Sequence, residues 1–412
     1  MAETLASAKV TSHDKSSVGA SRSVRRRLSK VLCLDDFEPM AESYLPRPLF
    51  GYIAGASETN LSLTDNAKSF AEFGFRPRVL LDVSARHQRT SLFGQTFAAP
   101  FGIAPMGISA MMSYRGDVVL AAAAQSANIP MIMSGSSLIP LEDVAKAAPA
   151  SWFQAYLPGE WPRIEALLDR VEAAGFKTLV ITVDVATLPS RENNVRNGFS
   201  TPLRPTLALL WQGLTHPSWS IRTLARTLLN HGVPHFENSF ATRGAPIISR
   251  NVSRDFSKRD HLDWSHLEKI RRRWNGNLVV KGVMRPEDAV RAASIGADGI
   301  IISNHGGRQL DGTVAPLRVL PGIVSAVGST TTVMVDGGIR RGTDVLKALI
   351  LGAKFVFIGR PFLYAASVGG QFGVAKAIDL LSKEIHQNMA LLGVSHLDDL
   401  QSDMLTRFAA AN

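Results

Sequence analysis

Cysteine is almost absent from this 412-residue chain, which carries Cys33 alone. A disulfide within the chain and a multi-thiolate metal cluster are both excluded, and the composition fits a reducing compartment. Long apolar runs are missing too; none approaches the ~18 residues of a membrane span. The first residues lack the apolar stretch of a secretory signal, so none is expected. Acidic residues are in short supply. Asp and Glu number 35 against 45 Lys and Arg, a formal net charge of +10. That excess fits an ordinary basic surface, and equally an attraction to anionic substrates or anionic lipid. No nucleic-acid partner is expected.

The hydrophobic share is 45%. That is enough for one barrel-sized core with additions, since (β/α)₈ barrels typically take ~250 residues and tolerate insertions. Residues 1–34 are rich in Ser, Ala, Lys and Arg, with Arg25, Arg26 and Arg27 in a row. They read as a disordered basic tail or a transit-type segment. Residues 35–99 read as helical and irregular. From residue 100 a regular alternation sets in. Short apolar runs at 100–105, 130–134, 151–156, 178–184, 277–281, 299–303, 332–336 and 355–359 alternate with helical patterns, among them 115–127, 161–174, 286–295 and 342–351. Eight buried-type strands alternating with helices predict a parallel (β/α)₈ barrel with an N-terminal helical extension; an open doubly wound sheet is the alternative. The barrel domain is expected over 35–400 and a C-terminal tail over 401–412. Between the fourth and fifth strands lies an insertion of about residues 185–260, and connections that long are usually functional or disordered.

Barrels place their active sites at the C-terminal ends of the strands. Those ends here carry Ser134, Gln154 and Tyr156, Thr182 and Asp184, Lys281, Ser303 and His305, Asp336, and Gly359 with Arg360. The densest cluster is Ser303-Asn304-His305-Gly306-Gly307-Arg308-Gln309-Leu310-Asp311. Histidine moves protons near neutral pH. Arginine three residues on presents a planar fork that matches a carboxylate. Asp336-Gly337-Gly338-Ile339-Arg340-Arg341-Gly342 and Ile358-Gly359-Arg360-Pro361 follow the seventh and eighth strands. Glycines before a helix start, with arginine nearby, suit a phosphate, and that is the usual phosphate position in barrels. Taken alone, Lys281 equally suits a Schiff-base barrel lyase or isomerase.

The SNHGGRQLD and DGGIRRGTDVLKAL segments, with the strand run Leu278–Gly282, resemble the FMN-dependent 2-hydroxy acid dehydrogenase and oxidase family over roughly residues 36–400. The resemblance implies FMN as cofactor and oxidation of an L-2-hydroxy acid, L-lactate first, to the 2-oxo acid. It implies His305 as catalytic base, Asp184 as the carboxylate paired with it, and Tyr156 on the substrate oxygen. Tyr52, Arg191 and Arg308 would hold the substrate carboxylate. Lys281 would lie beside the flavin N1–C2=O edge. Ala104, Met106, Ser134, Gln154, Thr182 and Ser303 would hold the isoalloxazine and ribityl groups; Asp336, Gly338, Arg340, Gly359 and Arg360 would hold the ribityl and phosphate groups. A homo-oligomer is also implied.

Gly107 and Ser136 are smaller than their counterparts in the oxidases and resemble the dehydrogenase branch, mandelate dehydrogenases especially. That implies a quinone or cytochrome-type acceptor rather than oxygen, and room for a larger substrate side chain, as in mandelate. No fused haem domain is expected. Within the insertion, Leu207, Leu209, Leu210 and Trp211 precede Trp219, Ile221, Leu224, Ala225 and Leu228, with Arg222 and Arg226 alongside. An amphipathic basic helix of this kind suits docking on lipid, and equally packing over the active site or a subunit contact. The expected location is therefore cytoplasmic, with peripheral attachment at the inner face of the cell membrane where the helix docks on lipid.

Overall fold

The computed structural model describes residues 19, 21–200, 202, 206–250 and 259–408. Eight parallel strands form its centre: β1 (Phe101–Ile103), β2 (Ile132–Ser134), β3 (Trp152–Ala155), β4 (Thr178–Thr182), β5 (Asn277–Val283), β6 (Gly299–Ile302), β7 (Thr332–Asp336) and β8 (Phe355–Ile358). Each falls on one of the eight apolar runs. β1 pairs with β8 in register Val356↔Phe101, and the bridge Ile103↔Met131 joins it to the chain entering β2. That closure makes a barrel and removes the open-sheet alternative. Between their polar ends the strands are mostly apolar because both faces are covered. Outward residues meet the helix layer, while Ile132, Val180, Val279, Ile301 and Met334 fill the interior.

The N-terminal end of the barrel is plugged. A hairpin, Thr90–Leu92 with Gln95–Phe97, turns at Phe93 and Gly94, both at positive φ. Its Phe97 ring lies 5.9 Å from Phe355 and its Phe93 ring 5.5 Å from Trp152. Burying rings of this size stabilises the closed end by roughly 1.5–3 kcal/mol each. The opposite end, where the polar strand termini gather, stays open.

Two expectations about the ends of the chain need correcting. The stretch to residue 34 is not all tail: Arg22–Leu28 is a helix, with Ser21 Oγ accepting from Val24 N–H at 3.4 Å. Val24, Leu28 and Val31 follow helical spacing, and the last two are buried, while Arg25 and Arg26 face outward. Low apolar content hid a short stripe that is sufficient because it meets the long C-terminal helix Arg360–Leu392 at Gly369. Residues 1–18 of the expected tail lie outside the described residues. At the other end, Leu405–Arg407 pairs antiparallel with Phe73–Phe75, so the chain is ordered to 408.

After β4 the insertion runs through the helices Glu192–Arg196 and Leu207–Thr215 and a helical stretch over 217–231 that widens to π-type turns at Ser220–Ala225. The chain returns to the barrel with the helix Trp264–Arg273. Trp219, Thr223 and Thr227 pack inward. Trp219 Nε1 donates to Met111 O at 2.8 Å, and the Tyr44 and Thr223 hydroxyls are 3.3 Å apart. The expected apolar face that included Trp219 is therefore divided: Trp219 is buried, while Ile221 and Leu228 face solvent.

Candidate active site

The end of β6 sets the centre. His305, Gly306 and Gly307 all take left-handed backbone angles, φ +59°, +65° and +76°. Glycine accepts this freely, and a Cβ at Gly307 would meet the Leu63 backbone nitrogen at 2.6 Å. His305 pays for the same geometry with strain of the kind that accumulates at functional sites. The turn aims the imidazole across the barrel mouth. Ser303 Oγ fixes its base, accepting from His305 N–H at 3.0 Å and from Lys281 Nζ at 2.8 Å.

His305 Nδ1 lies 3.0 and 3.2 Å from the two Asp184 carboxylate oxygens. A carboxylate only accepts, so Nδ1 carries the proton and Nε2 presents its lone pair. The Tyr156 hydroxyl donates to that nitrogen at 3.3 Å. Burial opposes ionisation of Asp184, but the His305 ring and Lys281 outweigh it and hold the carboxyl below the ordinary range. Burial likewise holds His305 below its usual value against the pull of Asp184, which leaves the imidazole neutral and able to accept a proton near neutral pH. Burial, then the Asp184 charge, pushes the Tyr156 phenol far up, so it remains a donor.

Three half-buried arginines meet above this centre. Arg308 Nη1 donates to the carbonyls of Tyr52 at 2.6 Å and Gly55 at 2.7 Å, and its guanidinium lies 4.7 Å over the Tyr52 ring. Its Nη2 finds no hydrogen-bond partner among the described residues. The full fork expected from sequence is thus half committed, and Nη2 remains unspent in a residue that lines the cavity. Arg191 is braced by Arg308 O at 3.1 Å and Gln309 Oε1 at 2.9 Å. Arg360 donates to the carbonyls of Ile53, Gly55 and Gly306, tying the end of β8 to the helix Arg47–Ala54 that carries Tyr52. Burial, then the charge of Arg308, pushes Arg191 down to about 10 and Arg360 to about 9. Cations crowded in this way gain from a bound anion.

A cavity of about 280 Å³ joins these groups. Tyr52, Ala104, Met106, Tyr156, Thr182, Arg191, Lys281, His305, Arg308, Asp336, Gly338, Arg340, Gly359 and Arg360 all line it. Ser134, Gln154, Ser303 and Asp184 stand directly behind. Several polar atoms around it are buried and without partner among the described residues: Gln154 Nε2, Thr182 Oγ1, Asp336 Oδ1 and Arg340 Nη1. Lys281 Nζ sits 3.1 Å from Asp336 Oδ2. Donors and acceptors aimed at a shared cavity, with guanidinium at one end, fit a polar heterocycle carrying a phosphate. One detail differs from the sequence reading. The helix starting at Gly342 is already capped, because Asp344 Oδ2 accepts from the Arg340 and Arg341 N–H groups and Glu384 Oε2 from Gly342 N–H. That leaves the Gly338 turn, the Gly359–Arg360 backbone and the Arg340 side chain as the candidates for holding a phosphate. A Cβ at Gly338 would overlap the Asn66 carbonyl.

A family model described as FMN-dependent dehydrogenase matches residues 41–407. The chain belongs to the FMN-dependent dehydrogenase family. Its cofactor is FMN, which suits the unpaired groups just described. The L-lactate dehydrogenase of Azorhizobium caulinodans is 38% identical over 377 residues, covering 90% of this chain and 97% of that protein. The L-lactate dehydrogenase of Xanthomonas campestris pv. campestris is 39% identical over 383 residues, covering 92% and 97%. Among solved structures, a monotopic membrane (S)-mandelate dehydrogenase superposes with a TM-score of 0.85 at 32% identity, covering 92% of this chain and all of that one. A mandelate oxidase gives 0.77 at 32%, covering 91% and 98%.

Sequence reasoning missed several members of this flavoenzyme site. Gln309 bridges Arg191 and the Asp184 carbonyl, to which it donates at 3.0 Å. Arg259 donates to Leu157 O at 3.1 Å and lies 5.1 Å over the Tyr156 ring. Asp311 accepts from the backbone of Thr59, Leu61 and Ser62, so it staples the segment following Tyr52. The presence of Gln309 and Asp311 within SNHGGRQLD was a usable signal; nothing in the sequence around Arg259 was.

Proposed function

We propose that this FMN-dependent dehydrogenase oxidises an L-2-hydroxy acid, L-lactate first, to the 2-oxo acid. The observation that carries the reading is the neutral His305, backed by Asp184, facing the free Arg308 Nη2 across one cavity. Bound FMN supplies the two-electron sink. Arg308 Nη2, Arg191 and the Tyr52 hydroxyl hold the substrate carboxylate, which fixes which hydrogen faces the cofactor. Tyr156 donates to the substrate oxygen. His305 Nε2 takes a proton, and the Asp184 carboxylate stabilises the imidazolium that results. Lys281 places positive charge at the end of β5, where Gln154, Thr182 and Ser134 hold the ring system.

The L-lactate dehydrogenase relatives support lactate as substrate. A larger, mandelate-like substrate is favoured by one observation. A Cβ at Gly107 would stand 3.0 Å from Ser136 Cβ and 3.4 Å from the Tyr52 hydroxyl, so glycine keeps that wall open. Anaerobic bleaching of the flavin by glycolate, L-lactate, D-lactate and L-mandelate separates the readings. L-Lactate should bleach it and D-lactate should not. Faster bleaching by L-mandelate would shift the assignment to the aromatic acid, and no bleaching by any L-acid would overturn it.

Electrons pass in this reading to a quinone or cytochrome-type acceptor, with the insertion docked on a membrane surface. No helix among the described residues is long and apolar enough to cross a membrane. Instead Leu207, Leu210, Trp211 and Leu214 lie exposed at helical spacing on one face, an arrangement suited to the lipid interface.

A further inference from the structure

A second cavity, of about 160 Å³, lies between the insertion and the barrel. Its inner wall is apolar, formed by Ala110, Leu138 and Ile139; its outer wall is the end of the insertion helix, Thr227 and His231. Two stretches of chain run from it straight into the active-site cavity. Ile108 lines the first cavity and Ala110 the second, and Ser136 and Leu138 are divided in the same way. Two residues of chain span at most ~7 Å. The two cavities are therefore separated by about one thickness of backbone.

The polar groups around this second cavity select a class of ligand. Arg115 pairs with Asp143 at 2.6 Å and Arg243 with Glu237 at 2.8 Å, so the charges at its rim are already neutralised. That disfavours an anion. Arg115 Nε and Thr227 Oγ1 are nevertheless buried without partner among the described residues, two hydrogen-bond donors with nothing to donate to. Burying such donors is unfavourable unless an acceptor completes them. An apolar wall with two unspent donors fits a neutral ring bearing carbonyl oxygens. The mouth adds a third constraint. Leu228, Leu229 and Val233 beside it are exposed by 43, 86 and 41%. They continue the apolar surface of the insertion, from which a lipid-dissolved ligand would enter.

We propose that this cavity is the docking site of a quinone that takes electrons from the reduced enzyme. The inference rests on the dehydrogenase reading above and names its acceptor site. The balance is simple. The hydroxy acid loses two electrons and two protons in becoming the oxo acid. With FMN held in the active-site cavity, the two electrons would cross the 108–110 and 136–138 backbone layer to reach the second cavity. The quinone takes them with two protons and becomes the hydroquinone. Tyr114 and His231 provide a path for those protons at the rim, with Tyr114 Oη 3.0 Å from the exposed His231 Nε2. Arg226 stacks 3.9 Å over the Tyr114 ring and fixes the pair.

The holoenzyme provides the test by separating the two half-reactions. In Thr227→Val and in Ala110→Leu, flavin reduction by the hydroxy acid and reoxidation by ferricyanide should match wild type. Reoxidation by a short-chain benzoquinone should slow by at least ~fivefold, the equivalent of one neutral hydrogen bond. Unchanged quinone reoxidation in both variants overturns the site. Photolabelling of the wild-type holoenzyme with an azidobenzoquinone is independent of how the variants fold: the label should fall within residues 110–115 or 226–234. A label confined to residues 185–191, on the substrate side, overturns the site while leaving a quinone acceptor standing. A wild-type enzyme that no quinone reoxidises, but a cytochrome does, overturns the site and the quinone reading together.

Discussion

In the proposed mechanism His305 acts through two side-chain hydrogen bonds, to Asp184 and Tyr156, and a desolvated ring. His305→Gln keeps a side chain of similar reach but cannot take a proton, so turnover should fall by at least ~10²-fold while the protein stays yellow. Bleaching by L-lactate at a near-normal rate would remove His305 from the mechanism. The pH profile offers a second check. The base must be neutral in the free enzyme, and burial holds its pKa below the usual value, so kcat/KM should fall on the acid side only below about pH 6.5. Asp184 pulls in the opposite direction; Asp184→Asn should therefore move that acid limb lower still and slow the reaction. An acid limb that rises in Asp184→Asn would contradict the pairing. At Arg308 the committed nitrogen matters as much as the free one. Arg308→Lys keeps the charge, but it cannot both bond the Tyr52 and Gly55 carbonyls and present a donor to substrate. KM should rise and kcat fall together, and unchanged kinetics would show that the carboxylate is held elsewhere. His305 and Arg308 were legible in the sequence because SNHGGRQLD packs five of the site's residues, Ser303, His305, Arg308, Gln309 and Asp311, into nine positions. The half-spent fork of Arg308 was not, since its partners lie some 250 residues away in sequence.

The elements were legible where both faces of a strand are buried, because a run such as Leu179-Val180-Ile181 has no other reading between turn residues. They were less legible where a few apolar side chains suffice, as with Leu28 and Val31, or where a helix start is capped from within the protein, as at Gly342. The helix Gly116–Ser126 contains a group that the chemistry does not use. Asp117 in its first turn is buried, and both carboxylate oxygens are without partner among the described residues, although Ser109 and Ser137 lie close by. Burial pushes its pKa up to about 6. The folded chain then holds this proton more tightly than the unfolded chain. The resulting stability is present below the unfolded pKa and is lost as pH rises to about 6, a penalty of up to ~3 kcal/mol that stays constant above it. Asp117→Asn should therefore melt at a higher temperature than wild type at pH 7 and above, with the gap closing below about pH 4. Thermal unfolding of both holoenzymes across that range measures it, and a gap that does not change with pH would show that Asp117 is not desolvated.

At the scale of the molecule, the closed barrel carries the site and, in the proposed reading, the insertion decides where the reaction happens. Sequence left the insertion open as a foot on lipid, a lid packed over the active site or a subunit contact, because one amphipathic pattern serves each. The structure divides the residues between packing and exposure. Trp219, Thr223 and Thr227 hold the insertion against the barrel, while Leu207, Leu210, Trp211 and Leu214 remain exposed by 85, 62, 64 and 65%. A packed lid accounts for the first set and leaves the second in water. Sinking an apolar side chain of this size into lipid contributes roughly 1.5–3 kcal/mol. Replacing Leu210, Trp211 and Leu214 by Glu should then weaken membrane partitioning by at least ~10³-fold. Wild-type enzyme should pellet with membranes at low salt. The triple variant should stay in the supernatant and still bleach its flavin with substrate at the wild-type rate, because none of the three lines the active-site cavity. Should the wild-type enzyme already remain wholly in the supernatant at low salt, the exposed face has some other partner and membrane docking is wrong.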